Sequence, residues 1–146
     1  MASSTSDNRR EISKQLSFAL YGAANRMVRM HKPFLEPLGL TFPQYLVMVE
    51  LLAGSPRTVG ELGARLGMDT GTITPLLKRL ELAGFVTRQR DAQDERRVMV
   101  SLTPQGEALR EVLWALPDQI QSACQITDDQ ADDIRQTLDT MARSPG

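Results

Sequence analysis

The chain has 146 residues, 41% of them hydrophobic and 24% charged, which fits one compact domain with enough apolar material for a core. Its 17 basic and 18 acidic side chains give a net charge of −1, excluding a generally polybasic protein but not a basic face. Apolar runs fall short of the ~18 residues of a membrane-spanning helix. The start, MASSTSDNRR, lacks a secretory apolar stretch, and a single cysteine, Cys124, makes a cytoplasmic address the expectation.

Charge is unevenly placed. Residues 1–56 and 57–97 each carry +2, whereas residues 98–146 carry −5, so any nucleic-acid face must lie before the last third. Residues 1–10 read as a flexible arm. From Glu11 to about Met30, Ile12, Leu16, Ala19, Leu20, Ala23 and Met27 recur at helical spacing, and Pro33 closes the segment. After a turn-rich stretch ending at Gly39, Thr41 caps a helix opened by Phe42-Pro43 and running to about Leu52. That helix is apolar on most sides and reads as the central core helix. Beyond the break Ala53-Gly54-Ser55-Pro56, Thr58 and Glu61 form a capping box for a short helix that Gly67 ends. A second helix runs from Asp69 or Thr70 to Ala83, with Gly84 as its left-handed cap. Two helices joined by a short glycine-containing turn predict a helix-turn-helix.

The period then changes. Residues 85–90 and 97–102 are short runs rich in β-branched side chains around the polar loop Asp91–Arg96, which predicts a β-hairpin. Thr103-Pro104 opens a long helix through Ile120 that Pro117 should kink or divide, and Thr127 caps a last helix carrying Ile134, Leu138 and Met141. The fold class expected is mainly α with a small β-hairpin wing, a winged helix-turn-helix.

This order suits DNA reading. The second helix of the pair spans about 21 Å at 1.5 Å per residue and can lie in a major groove. At its start, Asp69, Thr70, Gly71 and Thr72 offer short hydroxyls and an open backbone to base edges and phosphates, and Lys78 and Arg79 follow for phosphates. Arg88, Arg90, Arg96 and Arg97 bracket the hairpin, where a guanidinium can enter a minor groove. Singly, threonines at a helix start are mostly caps and hairpin arginines mostly a solvated face. Their joint occurrence behind a helix-turn-helix favours DNA.

At Leu62–Leu66, at D-T-G-T-I-T-P-L-L-K-R-L-E (69–81) and at D-A-Q-D-E-R-R (91–97), the chain resembles the MarR family of bacterial regulators. Gly39–Met48 and Phe18–Tyr21 narrow the likeness to a branch resembling organic-hydroperoxide repressors, and it covers residues 15 to about 140. The resemblance implies a homodimeric repressor on double-stranded DNA, at a pseudo-palindromic operator. It further implies one domain over 11–146, with the winged helix at about 41–103 and dimerisation helices at about 11–32 and 104–143. Thr74 and Pro75 belong to its recognition string; Arg96 takes the minor-groove role, oriented by Asp94.

The family branch senses peroxide with a cysteine in an L-C-F string, polarised by two tyrosines of the partner subunit. Here the string is Leu16-Ser17-Phe18, and the tyrosine positions hold His31 and Phe42. A serine hydroxyl cannot form a sulfenic acid. Three coordinated differences argue for a natural relative that has abandoned this sensor over an engineered trap. The expected effector is a small apolar or aromatic-acid ligand near Ser17, Tyr21, Arg26, His31, Phe42 and Tyr45. The alternative is a thiol redox-responsive repressor acting through Cys124, although that residue reads first as a small buried side chain. An enzyme lacks support: the sequence has no Cys/His pair, phosphate-binding glycine loop or metal-ligand cluster, and no cofactor or metal is expected.

Overall fold

A computed structural model describes residues 10–143. The expected arm, Arg10 apart, lies outside the described residues. The chain forms two compact units, residues 1–45 and 46–146.

In the first unit, Glu11 and Gln15 hold extended backbone, so Ile12–Lys14 form a separate 3-10 turn and helix α1 spans Leu16–Leu35. It therefore starts and ends about five residues later than the apolar spacing predicts. Pro33 lies inside it instead of closing it. A proline near a helix end forfeits one hydrogen bond, and the Glu36 N–H still closes the last turn on the Lys32 carbonyl. A second 3-10 turn, Glu36–Leu38, ends at Gly39, whose φ of 74° is the left-handed conformation glycine tolerates. Helix α2, Phe42–Ala53, then begins with a reciprocal cap. The Thr41 N–H donates to Gln44 Oε1 at 2.9 Å, and the Gln44 N–H to Thr41 Oγ1 at 3.4 Å.

Along α2, Val47, Met48 and Leu51 are wholly buried, as a central core helix requires. In the second unit Glu50 gathers two cations: its carboxylate pairs with Arg57 Nη2 at 3.2 Å and with Arg65 Nε. Strand β1 (Arg57–Thr58) leads into α3 (Val59–Leu66) through the predicted Thr58–Glu61 capping box. Gly67 (φ 66°) turns the chain, and Asp69 caps α4 (Thr70–Leu82). A Cβ on Gly63 would lie 2.7 Å from the Met68 carbonyl oxygen, so only glycine lets α3 meet this turn so closely.

Strands β2 (Val86–Arg90) and β3 (Val98–Leu102) form the predicted hairpin, and β1 adds to β3, giving the antiparallel order β1-β3-β2. Val100 sits between Arg57 and Arg88 in register and is fully buried. Leu62, Ile73, Leu77, Leu80, Val86 and Leu113 complete the core.

The predicted long helix after Thr103 is divided, but not where expected. Helix α5 (Pro104–Glu107) stops at Ala108–Leu109, and α6 (Arg110–Cys124) runs unbroken through Pro117. Leu109 has φ −84° and ψ −4°, at the margin of the helical region, while α6 has enough remaining hydrogen bonds to absorb one proline. Helix α7 spans Asp128–Ala142 behind the Thr127 cap and buries none of its residues. Ile134, Leu138 and Met141 on α7, Val112 and Trp114 on α6, and Leu16, Phe18, Tyr21 and Met27 on α1 stand exposed. Among the described residues no helix is long and apolar enough to cross a membrane.

Candidate nucleic-acid interface

Helix α4 divides its residues by face. Ile73, Leu76, Leu77 and Leu80 are buried, so the opposite side presents Thr70, Gly71, Thr72, Pro75, Lys78 and Arg79 to solvent, with Thr74 half-buried. Asp69 Oδ1 accepts the Thr72 N–H at 2.9 Å, which binds this carboxylate to helix capping. Gly71 is not needed for packing: a Cβ there would meet nothing nearer than Asp69 Oδ1 at 3.5 Å.

The wing arginines are engaged differently. Arg96 has 91% of its side chain exposed, yet it is aimed by Asp94, which accepts its Nε–H and its backbone N–H, both at 3.1 Å. Hydrogen bonding from the Arg96 side chain, then from its backbone, holds the Asp94 carboxyl below its ordinary value of 3.8. Arg90 donates to the Glu95 carbonyl at 2.7 Å across the loop. Arg97 lies 3.9 Å from both Glu61 on α3 and Asp91, while its carbonyl accepts the Asp91 N–H at 2.8 Å and closes the hairpin end. Arg88 faces Glu81 on α4.

These pieces surround one groove of about 410 Å³, lined by Thr58, Val59, Gly60, Thr70, Thr74, Arg88, Arg96, Arg97 and Val98. The starts of α3 and α4 meet Arg88, Arg96 and Arg97 there, and each of these arginines is also paired with a carboxylate outside the lining. The sequence identifies Glu61 only as a capping residue, and it pairs neither Glu61 nor Glu81 with an arginine. For Glu81 alone the sequence offers a hint, an acid in the last turn of a helix seven positions before an arginine of the next strand; Glu61 lies in the first turn of α3, far in sequence from Arg97.

In the first unit, His31, Phe42 and Tyr45 come together, with ring centroids 4.7 Å apart for His31–Phe42, 5.5 Å for His31–Tyr45 and 5.8 Å for Phe42–Tyr45. His31 Nδ1 lies 2.7 Å from the Met27 carbonyl oxygen, so that nitrogen carries the proton and donates it. Burial pushes the Tyr45 hydroxyl up from its ordinary value. Ser17, Tyr21 and Arg26 do not join them; they are exposed along the preceding turns of α1. Beside Phe42 opens a cavity of about 400 Å³, floored by Val28, Leu35 and Leu40 and flanked by Arg29 and Lys32. Those two cations were missed, though their spacing with Val28 and Leu35 places them on one helical face. Cys124 is half-buried at the end of α6. Among the described residues no group of three or more His, Cys, Asp or Glu is placed to hold a metal.

Residues 38–97 match the model of the MarR family. The chain is 41% identical over 110 residues to the organic hydroperoxide resistance transcriptional regulator of Bacillus subtilis (strain 168), covering 75% of each protein. It is 39% identical over 142 residues to the HTH-type transcriptional regulator TtmR of Methylorubrum extorquens (strain PA1), covering 97% of this chain and 71% of that one. Among solved structures it resembles the transcriptional repressor CouR bound to a 23-mer DNA duplex, with a TM-score of 0.79 and 28% identity over 92% of this chain and 97% of that one. CouR from Rhodococcus jostii RHA1 bound to p-coumaroyl-CoA matches with a TM-score of 0.78 and 25% identity over 94% and 98% of the two chains.

Proposed function

The chain belongs to the MarR family, and from that premise we infer that it is a homodimeric, sequence-specific DNA-binding transcriptional regulator. The observation that carries this reading is the groove in which the start of α4 and the wing arginines converge. Helix α4 enters a major groove with Thr70, Gly71, Thr72, Thr74 and Pro75 at the bases and sugars, and Lys78 and Arg79 at phosphates. Arg96, aimed by Asp94, reaches the adjacent minor groove. The winged helix is residues 41–103. The exposed apolar residues of α1, α6 and α7 pair with a second copy through the segments 11–32 and 104–143, since faces of this kind need cover. Acting on DNA gives the protein a cytoplasmic address.

The protein represses, and a small apolar or aromatic-acid ligand releases it. The cavity beside Phe42 supports this, because an apolar floor with Arg29 and Lys32 alongside suits a compact amphiphilic anion. A ligand that prefers the non-binding state weakens DNA affinity by a coupling of about 1–3 kcal/mol.

Selection of duplexes from a random pool by the purified protein tests the central reading. Sequencing should return inverted half-sites with centres about 34–36 Å apart, and titration should give a steep negative slope of log K against log[salt]. If no sequence is enriched, the reading fails. A thermal-shift screen of aromatic acids, followed by titration of the selected duplex, tests the ligand.

A further inference from the structure

We propose that Arg88 is not a DNA contact but a positioning residue, and that Glu81 and Arg88 form a latch fixing the wing against the recognition helix. Glu81 lies in the last turn of α4, and Arg88 is the third residue of β2, across the turn containing Gly84. The Glu81 carboxylate takes three donors from one residue. Arg88 Nη2 donates to Oε1 at 3.0 Å and Nε to Oε1 at 3.3 Å, while the Arg88 backbone N–H donates to Oε2 at 3.1 Å. The strand is thus held by main chain and side chain together, and a planar guanidinium gripped twice has one orientation.

The exposures separate the arginines into two roles. The Arg88 side chain is 24% exposed, against 91% for Arg96. For Arg88 to turn to a phosphate it would have to abandon Glu81, leaving a carboxylate beside the negatively charged backbone. With the latch closed, the distance between the α4 start and Arg96 is set before DNA arrives. A fixed distance favours those duplexes whose major and minor grooves match it. The long Arg97–Glu61 pair holds the other side of the wing to α3 in the same sense.

This inference rests on the DNA-binding reading, and its test keeps the two apart by starting from duplexes that the unaltered protein has selected from a random pool. If selection returns none, the DNA-binding reading fails. With a selected duplex in hand, Glu81→Gln, Arg88→Gln, the double variant and Arg88→Lys are titrated against it and against an unrelated duplex. Circular dichroism confirms that each is folded. Each single change should weaken binding to the selected duplex on the order of ten-fold and leave the unrelated duplex unaffected. The double variant should be no weaker than the weaker single, and the salt slope should not move. Arg88→Lys keeps the charge but loses the fork, so it should resemble Arg88→Gln. The latch is overturned if Arg88→Gln lowers the salt slope by about 0.9, the signature of one lost phosphate contact. It is equally overturned if Glu81→Gln tightens binding, as removal of a merely repulsive carboxylate must, or if Arg88→Lys behaves as the unaltered protein does.

Discussion

Gly71→Ala separates stability from function at one position on the outer face of α4. In a helix, glycine costs roughly 0.5–1 kcal/mol relative to alanine because it loses more backbone freedom on folding. The new methyl would find only Asp69 Oδ1, at 3.5 Å, an ordinary contact, so no clash offsets that gain. The position is in the first turn, where propensity counts less, so we expect stabilisation of about 0.5 kcal/mol and a rise of about 1–2 °C in melting temperature. Measured at equal protein concentration, this comparison is unaffected by dimer dissociation. Binding should move the other way. A methyl on the surface offered to the duplex holds the helix off the sugar-phosphate backbone, and operator affinity should fall about ten-fold, the scale of one lost contact. Calorimetry and anisotropy titration at one salt concentration measure the two effects. A Gly71→Ala variant that is more stable and binds as tightly as before would refute the placement of this face against DNA.

Three further outcomes are expected. Arg96→Ala should weaken operator binding about ten-fold and reduce the salt slope by about one, and it should leave stability within about 0.5 kcal/mol because its ion pair is exposed; an unchanged slope would remove Arg96 from the interface. Asp94 is held below its ordinary 3.8, so its contribution is complete above that value and is lost only as pH falls through the lower folded value. Binding measured from pH 8 down to 5 should accordingly show no loss traceable to Asp94 protonation, and the ratio of unaltered to Asp94→Asn affinity should stay constant across that range. Replacing Ile134 and Leu138 together with Lys puts charge on the exposed face of α7, and sedimentation should then find monomers; a persisting dimer would place the interface elsewhere.

Much of this fold is written in short-range chemistry. Thr58 with Glu61, Asp69, Thr103 and Thr127 are side chains that satisfy helix-start N–H groups within three residues, so the sequence displays them directly. Gly67 and Gly84 mark left-handed turns for the same local reason. The first helix starts later than its pattern suggests because the apolar rhythm from Ile12 to Leu16 is consistent with a helix, yet the extended backbone at Gln15 interrupts it. Strand β1 has two residues, too few for any periodicity, and exists because Val100 and Met99 offer a free edge. Pro117 misled in the opposite sense: a proline signal is local, whereas Leu113, Leu116 and Ile120 anchor α6 by burial on both sides of it. At the site, the outward residues of α4 followed from the periodicity of its buried ones. The partners Glu61 and Glu81 did not, since which acid meets which arginine is decided by the packing of strand against helix.

The residues expected from the sequence to hold an effector pose a geometrical problem. Ser17 and His31 lie on one uninterrupted helix, fourteen residues apart, which at 1.5 Å per residue is about 21 Å. Tyr21, ten residues away, is about 15 Å from His31 on the same count, so neither Ser17 nor Tyr21 lies beside His31, Phe42 and Tyr45 of the same chain. An isologous pair of α1 helices running antiparallel removes the difficulty, because the start of one lies beside the end of the other. The exposure of Leu16, Phe18 and Tyr21 at the start of α1, and of Met27 nearer its end, is what such a pairing would cover.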